Sequence, residues 1–108
     1  MSFHFLVRFD PPPERSAEFR AALLAVTDAA RAEPGCIEIH AFESVREPRE
    51  FAIHSEWVDE AAFEAHSGLA HTVRFVASAE ELLCRPVEGL RVREIGGGAG
   101  AASERGPR

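Results

Sequence analysis

Three consecutive prolines, Pro11, Pro12 and Pro13, separate a stretch whose apolar residues recur at every second position from one in which they recur every third or fourth. Before them, Phe3, Phe5, Val7 and Phe9 alternate with His4, Leu6, Arg8 and Asp10, the period of a β-strand over residues 3–10 with one face turned to a core. Proline has no N–H to give to a sheet, so the strand ends there. The fixed φ of the last proline suits the first turn of a helix. The spacing predicts that helix over residues 13–33, with Phe19, Leu23, Val26 and Ala30 as its apolar stripe and Pro34-Gly35 as its stop.

Alternation returns over residues 36–43 and again over 50–57, with Glu47-Pro48 between them, which reads as a β-hairpin with a loop of several residues. Asp59 is placed to cap a short helix carrying Ala62, Phe63 and His66, and Gly68 ends it. A second helical segment over residues 69–84 carries Val73, Val76 and Leu83. A fourth strand over 86–95 has Leu90 and Val92 on one face and Arg91 and Arg93 on the other. The glycine-rich continuation has too little apolar surface for a core, so the division expected is one domain over residues 1–95 and a flexible tail over 96–108.

The order βαββ(αα)β, with its second helix split, is that of an α+β, ferredoxin-like βαββαβ domain. Two right-handed split βαβ units close a four-stranded antiparallel sheet covered by helices on one face. The other face stays open, and it carries Leu6 and Phe42. Apolar groups on an uncovered sheet predict that two sheets pack face to face in a homodimer. If the hairpin is symmetric about Glu47, positions whose numbers add to 94 face each other, which pairs His40 with His54 and Glu38 with Glu56 on that open face. His4 lies on the same side of the first strand. Metal binding by these three histidines is conceivable, but a polar interface balanced by arginine is the simpler reading. Six imidazoles brought together by a two-fold axis are expected to weaken association on acidification.

Composition narrows the function. All twelve basic residues of the 108 are arginines scattered singly, and the net charge is −6, so no cationic stripe offers itself to nucleic acid. No apolar run approaches the length of a membrane span or a signal peptide, which makes a cytoplasmic protein the expectation. Cys36 and Cys84 lack C-x-x-C spacing and read as small buried thiols. The chain holds no Tyr, Asn, Lys or Gln, which excludes chemistry that needs a phenol, a Schiff-base amine or a side-chain amide.

Glu33-Pro34-Gly35-Cys36 after the first helix, Phe51 through Trp57 in the third strand, and Asp59-Glu60-Ala61-Ala62-Phe63 leading to His66 and His71 resemble the antibiotic-biosynthesis-monooxygenase (ABM) family over roughly residues 3–95. The resemblance implies a dimeric α+β barrel of paired ferredoxin-like sheets. It also implies one of several activities, among them cofactor-free oxygenation of polycyclic phenols, quinol oxidation, haem degradation and isomerisation. Family members usually carry Tyr where Ile39 stands and Glu where Ser55 stands, so that pair is replaced together. The haem-degrading branch uses an Asn on the first strand, where Val7 stands, and a Trp on the short helix, near His66, so haem degradation is disfavoured.

The family's pocket lies between sheet and helices, which makes Phe5, Val7, Ile39, Ile53, Trp57 and Phe75 the candidate substrate-binding residues, suited to a flat apolar molecule. For Trp57 plain core packing is the simpler reading, with a pocket wall as the alternative. His66 and His71 are the candidate catalytic residues, imidazole being the natural base for a phenol or hydroquinone; capping or surface roles are the alternatives. Their spacing sets them about 140° apart on a helix, and Gly68 interrupts it, so no metal is expected to bind between them. The leading reading is a cofactor-independent monooxygenase using a small aromatic substrate and O2, with no cofactor. The alternative is a non-catalytic, small-molecule-binding or stress-associated dimer of the same fold.

Overall fold

A computed structural model describes residues 2–100. The elements run β1 (Phe3–Phe9), a 3-10 turn (Pro13–Arg15), α1 (Ser16–Arg31), β2 (Cys36–Glu43), β3 (Phe51–Trp57), α2 (Glu60–Ser67), α3 (Ala70–Leu82) and β4 (Glu88–Val92). The four strands form one antiparallel sheet in the order β2-β3-β1-β4, so the α+β ferredoxin-like architecture is the observed one. The prolines end β1 as their chemistry requires, although Pro13 opens a 3-10 turn and the α-helix proper starts at Ser16. No helix among the described residues is long and apolar enough to cross a membrane.

The hairpin register pairs Ile39 with Ser55, His40 with His54 and Glu38 with Glu56, as symmetry about Glu47 requires, and slips only at a bulge between Cys36 and Glu38. Ser44 clasps the loop: its backbone N–H donates to the Glu50 carbonyl at 2.8 Å, and its hydroxyl accepts from the Glu50 N–H at 2.9 Å.

Between sheet and helices, Val7, Phe9, Phe19, Leu23, Ile39, Phe51 and Ile53 form the core. Thr27 rather than Val26 completes the buried face of α1, its hydroxyl turned back to the Leu23 carbonyl at 3.0 Å. That bond satisfies the only polar atom the side chain would otherwise bury. In α3 the valines that mark the helix in the sequence, Val73 and Val76, are exposed, while Thr72, Phe75, Ala79 and Leu82 turn inward. Val73 and Val76 lie one step out of phase with the buried face because Thr72 and Ala79 are weak apolar signals, while Leu83 does pack against the core. Cys84 is exposed, contrary to the buried thiol expected, since the chain has left α3 by that point; Cys36 is half-buried. Strand β4 is shorter than residues 86–95 at both ends. Its Gly89 lies under the Phe5 ring, and a side chain there would overlap the ring carbons. Residues 96–100 lie outside any strand or helix, and 101–108 fall outside the described residues.

The open face is a regular grid. One row crosses the sheet as His40, His54, Leu6 and Leu90; the next holds Phe42, Ala52, Arg8 and Glu88. Leu6, Phe42 and Leu90 are all exposed. A depression of about 690 Å³ lies over this grid, lined by Leu6, Phe42, Ala52, His54 and Leu90 with Arg8, Glu50 and Arg85 at its polar part.

Candidate functional site

Glu33 follows α1 in a tight turn, its carbonyl accepting from the Cys36 N–H at 3.2 Å. Gly35 makes the turn possible with φ +85°, a region L side chains rarely adopt. A Cβ at Gly35 would lie 2.7 Å from the Ala62 Cβ, so the glycine also lets α2 settle against the turn. The Gly35 carbonyl accepts from the Val58 N–H at 2.9 Å, tying the end of β3 to the same place. Gly35→Ala therefore combines left-handed strain with overpacking and is expected to cost roughly 2–4 kcal/mol. Urea unfolding measures this, and an unchanged midpoint would mean that turn and helix do not touch in solution.

Helix α2 starts where Asp59 accepts from the Ala62 N–H at 2.9 Å, as its sequence position predicts. Arg91 of β4 holds the helix from the side, donating to Glu60 at 2.6 Å, pairing with Glu64 and lying 5.2 Å from the Phe63 ring centre. His66 falls in the last turn of α2. Gly68 then breaks the helix, and His71 falls in the first turn of α3.

The break overturns the expectation that the two imidazoles point apart. His66 Nδ1 lies 2.9 and 3.0 Å from the two Glu33 carboxylate oxygens, and His71 Nε2 lies 2.7 Å from Oε2 of the same carboxylate. Glu33 and His66 keep only 9% and 13% of their side chains exposed and His71 keeps 31%, so the cluster sits at the edge of the core with one side toward solvent. A carboxylate only accepts, so both facing nitrogens carry hydrogen. That fixes the tautomers and leaves the lone pair of His66 on Nε2. A carboxylate holding one imidazole nitrogen so that the other can take a proton is the arrangement of an oriented general base. Thr72 Oγ1 stands 3.4 Å from His66 Nδ1.

The Trp57 ring packs on His66 with centroids 4.6 Å apart, and Phe63 lies 5.9 Å from His66 and 4.5 Å from Phe5. Trp57 is wholly buried, yet its indole N–H has no partner among the described residues. Of the six candidate substrate-binding residues, Phe5 and Trp57 thus join the imidazoles through Phe63. Val7, Ile39 and Ile53 are buried in the core, and Phe75 packs with Phe9 and Phe19 instead. Burial, and after it the Glu33 carboxylate, raise the Cys36 thiol pKa above its ordinary value, so Cys36 is a packing group rather than a nucleophile.

Glu33 was not singled out from the sequence as a site residue, although it opens the E-P-G-C segment. A lone glutamate at a helix end carries no periodic signal; only the convergence of three chain segments reveals it.

The one-sided ferredoxin-like sheet on which this cluster is built is a fold shared with known proteins. The family model for antibiotic biosynthesis monooxygenase matches residues 2–78. YcnE of Bacillus subtilis (strain 168) is 37% identical over 79 residues, 73% of this chain and 83% of that protein. Rv0793 of Mycobacterium tuberculosis is 33% identical over 82 residues, 76% of this chain and 80% of its own. Both names carry monooxygenase as a provisional designation. The solved structure of Rv0793 superposes with a TM-score of 0.83, covering 92% of this chain and all of the other. The chain belongs to the antibiotic biosynthesis monooxygenase family.

Proposed function

We propose that the protein is a cofactor-independent monooxygenase of a small aromatic or quinol-like metabolite, working in the cytoplasm as a homodimer of the domain over residues 1–95. The observation that carries this reading is the Glu33 carboxylate held against His66 Nδ1, which leaves Nε2 of a half-buried imidazole free beside an aromatic wall. Nε2 takes the phenolic proton. The resulting anion is electron-rich enough to reduce O2 itself, so the substrate supplies the electrons. One oxygen atom enters the product, the other leaves as water, and the substrate loses two hydrogens. Trp57, wholly buried, backs the His66 ring and keeps it in place, and His71, on the solvent side of Glu33, steadies the carboxylate. Oxygen-electrode traces with hydroquinones and anthrones, with 18O2 followed into the product, test this. Consumption no faster than the spontaneous rate across that panel would sink it.

One observation favours the alternative, a binding dimer without chemistry: Trp57 is fully buried and packed against Phe63 and His66. That reading predicts saturable quenching of Trp57 fluorescence by an aromatic ligand with no oxygen uptake.

For the dimer, the support is the exposed apolar grid on the open face. His4 and His54 stack there, with His4 Nδ1 and His54 Nε2 2.9 Å apart. One proton serves that contact. Protonating both rings leaves two cations in contact, offset only in part by Glu56, 3.9 Å from His4, while His40 is already engaged by Glu38 at 3.1 Å. Sedimentation at about pH 5.5 and about pH 7.5 tests this, with weaker association expected on the acid side, where added protons put like charges in contact. Equal or tighter association on the acid side would place these rings outside the interface.

A further inference from the structure

Glu33, His66 and His71 each present a ligand atom within 4.8 Å of the other two. These atoms come from three separate chain segments, and two of the three side chains are almost withdrawn from solvent. We propose that this cluster is a binding site for one divalent cation of the zinc class, and that the cation silences the site.

The donor chemistry decides the class. Two imidazole nitrogens and one carboxylate oxygen are borderline ligands, matched to Zn2+ and its neighbours rather than to Mg2+ or Ca2+, which call for oxygen throughout. Ligands about 2.0–2.2 Å from a tetrahedral zinc stand about 3.3 Å from each other. The contacts of 2.7 to 3.0 Å to Glu33 must therefore open by about half an ångström, and the two imidazole nitrogens, within 4.8 Å of each other, must settle to the same spacing, a shift within the side-chain freedom of a cluster that faces solvent at His71. Three protein ligands leave the fourth position to water. The backbone around them is firmly set: Gly35 seats the turn that carries Glu33 against α2, and Trp57 packs on the His66 ring. Ligands held in place before the ion arrives lose little freedom on binding it.

Coordination uses the nitrogens that now donate to Glu33. Each imidazole must therefore carry its proton on the far nitrogen, His66 on Nε2 and His71 on Nδ1, and no net proton is released. The far nitrogen of His66 is the atom assigned above to proton abstraction. Cation and base function thus exclude each other, and in this one respect the inference rests on the proposed function; binding itself does not.

Calorimetric titration of chelator-treated full-length protein with Zn2+ should give one ion per chain with a dissociation constant of about a micromolar or below. Co2+ should give the visible absorption of a four- or five-coordinate centre. Glu33→Gln and His71→Asn, two variants so that a folding defect in one leaves the other, should each weaken binding by about 100-fold or more, and His54→Asn on the open face should leave it unchanged. No binding by the parent protein would overturn the proposal. So would binding that survives both site variants, or that is lost with His54→Asn. If zinc binds as expected while no aromatic substrate consumes O2, the cation site stands and the monooxygenase reading falls; oxygen uptake without zinc binding gives the reverse.

Discussion

Replacing His66 with alanine should lower turnover of a hydroquinone or anthrone by about 10²- to 10⁴-fold, the range a positioned general base contributes. The loss should fall on kcat, because proton removal belongs to the reaction rather than to binding. Glu33→Gln should retain more activity, with a loss of about 10- to 100-fold. Its amide oxygen still accepts from one imidazole, but its NH2 group meets the other as a donor facing a donor, so one ring must turn. The order of the two losses is informative: a larger loss in Glu33→Gln would make the carboxylate itself the base. The His66→Ala fold should persist at reduced stability: the ring gives up its contacts with Trp57 and Phe63, about 0.5–1.5 kcal/mol for each aromatic pair, and Glu33 loses one donor while keeping His71. An unchanged rate would remove His66 from the chemistry and leave His71, or ionisation of the substrate in water, as the source of the anion.

Those roles were only half legible in the sequence. Strands β1, β2 and β3 stand out because a half-buried strand writes its burial as strict alternation, and the hairpin register followed from one symmetry point at Glu47. Helix α3 was harder. Its inward face is built from Thr72 and Ala79 while Val73 and Val76 face outward, so the hydrophobic period pointed to the wrong side of a correctly placed helix. The histidines were legible as residue types but not as a cluster. Spacing along a continuous helix sends His66 and His71 in different directions, and only the break at Gly68 brings both to Glu33. Glu33 itself sits 33 positions from His66, a separation that no local pattern encodes. The family resemblance supplied the right neighbourhood, yet its usual tyrosine and glutamate positions are occupied here by Ile39 and Ser55. These two face each other across the hairpin, both buried, and carry no base.

Leu6→Asp should convert the proposed dimer to monomer at micromolar concentration, raising its dissociation constant by about 10³-fold or more. Leu6 lies between His54 and Leu90 in one row of the open face, with Phe42 and Ala52 in the next, and the three large apolar members are 41%, 64% and 55% exposed for Leu6, Leu90 and Phe42. A two-fold axis makes each residue count twice. The substitution thus removes two leucines from the proposed interface, at about 2 kcal/mol each, and leaves two carboxylates there as well. Arg8 cannot rescue them freely, being already paired with Glu50 at 2.6 Å. The monomer fold should be spared, because an aspartate at position 6 points away from the core that Phe5 and Val7 enter. Val45→Asp supplies the control: Val45 is 93% exposed in the hairpin loop, outside the grid, and its substitution should leave association untouched. Sedimentation equilibrium on the three proteins separates the outcomes. A Leu6→Asp dimer as tight as the parent would move the interface away from the open sheet face, and a parent protein that is itself monomeric would leave Leu6, Phe42 and Leu90 in search of another partner.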